Sequence, residues 1–262
     1  MSGAMKVLRF QLRDLLRGRW LIAYAVLFAL AAEGLLRLGG GDARALLGIG
    51  NLVLFVVPLI SLVFGTAHLY DLREFTELLL SQPVNRGQLF AGLYGGIAVG
   101  LSAAFLVGTS APFLARGLDG VDPAALAALL GAGVMLTLVF EALAFLIALA
   151  TRDKARGLAV AIAVWLALTV LYDGAVLAVA GTFAAYPLER PMIGLMLLNP
   201  VDLARVLVLM QLDIAALMGY TGAVFERFFG SDLGLAVILA TMAAWVAGPV
   251  WLGVRAFRRQ DF

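Results

Sequence analysis

Two carboxylates stand where water is scarce: Glu141 within the apolar stretch Pro123–Ala150, and Asp173 within Gly157–Ala180. A carboxylate at membrane depth is costly unless paired, hydrated or protonated, so each must face a bundle interior or water. Such a group either belongs to a translocation path or a bistable polar contact, or it is a satisfied structural group near a helix end. Glu141 lies deeper by these boundaries, so the functional reading attaches to it before Asp173. Other chemistry is scarce. With no cysteine and one histidine, His68, the chain offers no disulfide, no thiolate ligand, no Cys nucleophile and no histidine metal site. No serine is evidently paired with His68, which sits at the edge of an apolar stretch, so an intramembrane hydrolase is weakly supported. Met192, Met196, Met210 and Met218 carry thioether sulfur suited to Cu(I), although methionine more often fills apolar gaps. A P-loop ends in Lys followed by Ser or Thr, on a Gly-rich turn. The only lysines, Lys6 and Lys154, follow Met5 and Asp153, so the chain holds no ATPase site and is not read as an enzyme.

The elements that position these groups are membrane helices. Of 262 residues, 63% are hydrophobic and 14% charged, against roughly 45–50% and about 25% in soluble domains. Six stretches approach or exceed the roughly 20 residues that cross a bilayer core: Trp20–Leu36, Leu46–Leu69, Leu89–Ala115, Pro123–Ala150, Gly157–Ala180 and Leu233–Val254. Alternating barrel segments are absent, so the backbone must be satisfied within helices. The expected fold is an all-α membrane protein, with residues 20–262 forming a six-span domain. A cleaved leader is the alternative for the first stretch, but its basic flank is long and five spans follow it.

Basic residues set the orientation. With the N-terminus in the cytoplasm, the inner segments hold Lys6, Arg9, Arg13, Arg17, Arg19, Arg73, Arg86, Arg152, Lys154, Arg156, Arg255, Arg258 and Arg259. The outer segments hold Arg37, Arg44, Arg116, Arg190, Arg205 and Arg227. Both termini are therefore expected inside. The net charge of +2 hides this asymmetry and gives no reason to expect nucleic acid as a partner. Residues 1–19 place Lys6, Arg9, Arg13 and Arg17 opposite Leu8, Leu12, Leu15 and Leu16, the pattern of an amphipathic helix on the inner surface of the bilayer. Gly92, Gly96, Gly100, Ala104 and Gly108 form a small-residue ridge, serving either internal packing or a subunit contact. Pro58 and Pro249 stand inside spans and are expected to kink them.

Residues 182–232 form the largest segment outside the spans. Its apolar runs are broken by Glu189, Arg190, Asp202, Arg205, Asp213, Glu226 and Arg227, which suits short helices lying at or dipping into the outer surface. Asn199 and Pro200 mark a turn, and Asp202 is expected to cap the helix that follows.

Two inner turns, residues 70–86 and 151–156, carry the strongest pattern. From Tyr70 to Gln82, Leu72, Phe75 and Leu79 share a face while Asp71, Arg73, Glu74 and Glu77 supply charge, and Pro83 stops the helix. The second turn reads TRDKARG, Thr151 to Gly157, with Arg152, Asp153 and Lys154 at its centre.

At LLLSQPVNR, Leu78 to Arg86, the chain resembles the ABC-2 family of ATP-binding-cassette transporter permeases. That family commonly runs a charged helix into a Leu-Leu-Ser-x-Pro-Val-x-Arg pattern. The likeness extends through the surface helix, the spans, the long outer segment and the basic tail FRRQDF; a departure is Phe75 where Gly often precedes the Thr. Within the family, LLNPVDLARVLVLMQLD (Leu197 to Asp213) and GYTGAVFERFFGSD (Gly219 to Asp232) look most like permeases serving nitrous oxide reductase maturation. The resemblance implies the ABC-2, type V exporter-like fold and a homodimer in the bacterial inner membrane. It also implies a cytoplasmic NosF-like ATPase that carries the ATP and Mg, a NosD-like periplasmic protein, and a NosL-like copper chaperone reached through the complex. Asp71, Arg73, Glu74, Phe75, Glu77, Leu79, Gln82, Pro83, Arg86, Arg152, Asp153 and Lys154 would meet the ATPase. Asn199, Pro200, Asp202, Arg205, Tyr220 and Phe225 would meet the periplasmic protein. The cargo would be a sulfur species, or copper handed over through the periplasmic partner. A general exporter of a lipid, drug or glycan and a non-transporting scaffold are the alternatives.

Overall fold

Apolar runs this long leave the backbone no partner but itself, and the chain answers with helices. The computed structural model describes residues 18–38, 42–73, 85–117, 120–183, 189–211 and 232–259, together with Met5 and Gln11. The remainder of the amphipathic segment 1–19, the coupling residues Glu74, Phe75, Glu77, Leu79, Gln82 and Pro83, and Tyr220 and Phe225 lie outside the described residues. No strand occurs among those described.

Among the described residues the helices are α1 (Arg19–Leu38), α2 (Asp42–Asp71), α3 (Arg86–Arg116), α4 (Pro123–Ala150), α5 (Lys154–Thr182), α6 (Glu189–Leu197), α7 (Pro200–Gln211) and α8 (Asp232–Arg259). Six of them, α1 to α5 and α8, are long and apolar enough to cross a membrane. Each overlies one expected span and most run a turn or so past it. A helix of 28 residues such as α4 rises about 42 Å, so it outreaches a hydrocarbon core of about 30 Å.

Helix starts follow local chemistry. The Asn85 side chain accepts from Gly87 N at 2.9 Å, that of Asp122 from Ala124 N at 3.0 Å ahead of Pro123, and that of Asp153 from Arg156 N at 2.8 Å. Asp202 does not cap α7. Asn199 does, accepting from Val201 N at 3.0 Å, because a Pro at the first helical position needs no acceptor and sets the backbone for the turn.

The bundle is built around α4, which packs against α2, α3, α5, α7 and α8. Buried aromatics fill the interior: Phe105 of α3 seats on Gly133 of α4 and meets Phe28 of α1 edge-on at 5.1 Å, while Phe90 meets Phe145 at 5.4 Å. The small-residue ridge of α3 is buried throughout and serves internal packing. At its far end Gly108 lies against the backbone of Ala25, with no room for a Cβ. Lipid supplies no hydrophobic force between helices, so this close approach is a main source of their packing energy. Gly108→Ala should therefore cost about 1–3 kcal/mol through overpacking, seen as a lower melting temperature in detergent. Gly34→Ala, where a Cβ meets nothing within 4 Å, should leave the melting temperature unchanged.

Pro58 and Pro249 stand inside α2 and α8. The fifth span holds a feature of another kind: Lys154–Leu166 and Tyr172–Thr182 are α-helical, but Ala167–Leu171 between them is a π-turn.

Candidate functional site

Span connectivity puts the Asp71 end of α2, the Arg86 end of α3, the junction of α4 with α5, and the basic end of α8 on one side of the bundle. There the two charged turns form a joint. The Tyr70 hydroxyl donates to the Thr151 carbonyl oxygen at 3.0 Å, and its ring lies over Gly157. Lys154 Nζ meets Asp71 Oδ1 at 2.5 Å. The Arg73 guanidinium donates to the Arg152 carbonyl oxygen at 3.2 Å. Gly157 is required at this joint because any Cβ would enter the Tyr70 ring. Asp153 spends its side chain as the cap of α5. Arg86 lies in a separate corner, donating to the Arg258 carbonyl oxygen at 3.1 Å. The described part of the expected ATPase-contact set is thus split into a joint of Asp71, Arg73, Arg152, Asp153 and Lys154, and a corner at Arg86.

Towards the other side, α6 and α7 are bent against each other by 108°. Both α5 and α8 have an end on that side, so the pair dips into the bundle as a re-entrant unit. Its tip grips the π-turn: Asn199 Nδ2 donates to the Leu168 carbonyl oxygen at 2.9 Å. Roughly 21 Å of helix separates Leu168 from Thr182, which sets the depth of the tip. Arg205 Nη2 and Nη1 reach the two Asp173 carboxylate oxygens at 2.8 and 3.2 Å, and Nη1 also reaches Asp202 Oδ1 at 2.8 Å. The Tyr172 hydroxyl donates to the Leu195 carbonyl oxygen at 2.6 Å, and Trp245 Nε1 donates to that of Leu197 at 3.3 Å.

Asn199, Pro200 and Asp202, expected to meet an outer partner, are buried in the bundle. Asn199 spends its side chain on the Leu168 carbonyl oxygen of α5 and on the cap of α7, and Asp202 accepts from Asn199 and Arg205. Asp173 and Arg205, expected in separate roles, form one bidentate ion pair.

Glu141 differs from Asp173 in every respect. It has 0% exposure, and neither carboxylate oxygen has a hydrogen-bond partner among the described residues. Its carboxyl group fills the place a side chain at Gly65 of α2 would take. The hydroxyls of Tyr24, Ser61 and Thr66 are likewise buried without partners among the described residues. Nearer the far side, Glu33 takes Arg116 at 2.7 Å and Arg37 at 2.6 Å, tying α1 to α3. His68 stacks on Phe64, and no group of three or more metal-ligating side chains occurs among the described residues.

Sequence reading missed the contacts that reach across the fold, namely Tyr70 with Thr151, Asn199 with Leu168, and Asp173 with Arg205. A usable signal existed only for the last: an Arg and an Asp that both fall in apolar surroundings need each other.

Residues 39–262 match the family described as ABC-2 family transporter protein. A relative from Pseudomonas aeruginosa named probable ABC transporter permease protein NosY is 30% identical over 97% of both chains. A protein of the same name from Stutzerimonas stutzeri is 28% identical over 99% of both.

Proposed function

The chain belongs to the ABC-2 family of transporter proteins, and from that premise we propose that it is the permease of a transporter serving nitrous oxide reductase maturation. A multi-pass permease of this family works with an ATPase carried on a separate protein. The finer reading is two copies of this chain in a bacterial inner membrane, both termini in the cytoplasm. Two NosF-like ATPase subunits, holding ATP and Mg, sit on the side of the paired turns. A NosD-like protein and, through it, a NosL-like copper chaperone act on the other side. The cargo is a sulfur species for the copper-sulfide centre, or copper handed over outside. The NosY names of the relatives and the outer strings quoted above support this reading.

One observation carries the mechanism: α5 is tied at its start and again in its second half. At one end Lys154 pairs with Asp71; toward the other, Asp173 pairs with Arg205. Closure of the ATPases displaces the 70–86 and 151–156 turns, and α5 carries that displacement to the re-entrant unit. The π-turn, whose geometry is poorer than that of an α-helix and which often marks functional positions, is where the rod yields. The buried carboxyl group of Glu141 in α4 is packed against Gly65 of α2, so a shift of α2 would change its surroundings. A ligand or partner moves such an equilibrium only by its differential interaction with the two states, and these charged contacts are where it would act.

Lys154→Glu tests the joint. The Lys154 and Asp71 side chains are 47% and 61% exposed, and such pairs add only about 0–1 kcal/mol, so the variant should fold and insert. Stimulation of the partner ATPase by the permease should fall severalfold, and Asp71→Lys combined with Lys154→Glu should restore it. Wild-type stimulation and transport by Lys154→Glu would rule out coupling through this joint.

A further inference from the structure

The basic end of α8 takes no part in the joint or the re-entrant unit, yet it is shaped. Trp251, Val254, Arg255, Arg258 and Arg259 line a surface notch of about 430 Å³. The Arg255 guanidinium lies 5.6 Å from the centre of the Trp251 ring, and the guanidinium of Arg258 lies over Gly87 in the first turn of α3. Three cations therefore converge beside a helix N-terminus, which adds partial positive charge of its own. None of the three arginines meets a carboxylate among the described residues.

The notch is two-sided in character. Trp251 is 61% exposed, and Leu252 beside it is exposed as well. An exposed tryptophan one turn inside a cluster of arginines is the arrangement found where a spanning helix meets the headgroup layer. Water alone would not reward the indole, and lipid chains alone would not reward the guanidinium groups. A ligand with an anionic phosphodiester and attached acyl chains satisfies both.

We propose that this notch is a binding site for an anionic phospholipid, its phosphate held by Arg255, Arg258 and Arg259 and its chains lying along Trp251 and Leu252. Because Arg86 ties the start of α3 to the backbone of Arg258, a lipid seated there braces the junction of α3 with α8. The site is independent of what the transporter carries.

The test uses the full chain, purified in detergent and stripped of lipid. It is offered phosphatidylglycerol, cardiolipin or phosphatidylcholine and read by native mass spectrometry and melting temperature. Both anionic lipids should be retained at least about tenfold better than phosphatidylcholine, each basic residue near a charged surface contributing a several-fold factor. Arg255→Gln with Arg258→Gln and Arg259→Gln should erase the preference. The triple Lys variant, which keeps the charge, should hold most of it, and Trp251→Ala should weaken retention of all acylated lipids. Equal retention of the three lipids, or an unchanged preference in a triple Gln variant that melts as wild type does, would overturn the proposal. Displacement of the lipid by inorganic phosphate or glycerol 3-phosphate would make this a soluble-anion site. Loss of ATPase co-purification with unchanged lipid retention in the triple Gln variant would assign it to an acidic protein surface. Either result also overturns the proposal.

Discussion

Glu141→Met should raise the melting temperature of the purified chain and lower transport by the assembled complex. The carboxyl group is fully buried, and both oxygens lack partners among the described residues. A buried polar group left unsatisfied costs about 1–3 kcal/mol. Methionine is of similar length, unbranched and adaptable, so it can occupy the space against Gly65 without overpacking. Stability gained at the expense of function is the pattern expected where a local cost is kept because the working cycle uses it. If the Glu141 contact biases the two states of the bundle by 1–3 kcal/mol, its loss should change coupled transport roughly 5- to 150-fold. Glu141→Gln, which retains polarity without a charge, separates the two effects: its stability should stay near wild type. A stabilised Glu141→Met that transports normally would show the carboxyl to be structural. A destabilised one would show that it has a partner in the folded state.

The second large effect is at Arg205. Arg205→Met leaves Asp173 and Asp202 facing each other without a cation. Removing one member of a fully buried pair costs about 3–5 kcal/mol. Here Arg205 and Asp173 are 35% and 34% exposed, so solvent screening reduces the figure to about 1–3 kcal/mol. Transport should be lost, because α7 is no longer fastened to α5. Arg205→Met combined with Asp173→Leu replaces the pair with apolar groups. It should recover much of the stability, as such replacements often do, and none of the transport. Thermal unfolding and cargo transport in vesicles measure the two separately. Full transport by the double variant would rule out a mechanical role for the pair. Arg205→Lys keeps a charge but loses the two-pronged geometry, and should fall between.

The spans were readable from composition because hydropathy over 20 residues is a summed property that no single contact can reverse. The Pro123–Ala150 helix shows this best, its ends marked by a Pro with an Asp before it and by the charged turn beyond. The cap of α7 was misplaced for a different reason. Asn199 and Asp202 are both good capping residues, and only the Pro immediately after Asn199 distinguishes them. The charged turns were visible as a pattern, but not the joint between them, since Tyr70 and Thr151 are 81 residues apart and neither has a motif. Burial of Asn199 and Asp202 was hidden because interrupted apolar runs look alike whether they lie on a membrane or dip into a bundle. A π-turn leaves no periodic trace at all: five residues of ordinary apolar sequence, Ala167 to Leu171, read as helix under any count.

That π-turn fixes an angle as well as a weak point. Each α-helical residue rotates the chain by about 100°, so where Asp173 points is set by how many residues separate it from Lys154. The wider turn shifts that bearing, and Arg205 meets the carboxylate only at the bearing produced. Lineages of this chain can therefore exchange side chains along the lipid face of α5 freely, whereas gaining or losing one residue between Lys154 and Asp173 would swing the acid away from its arginine. Length, more than identity, is what descent must preserve in that stretch.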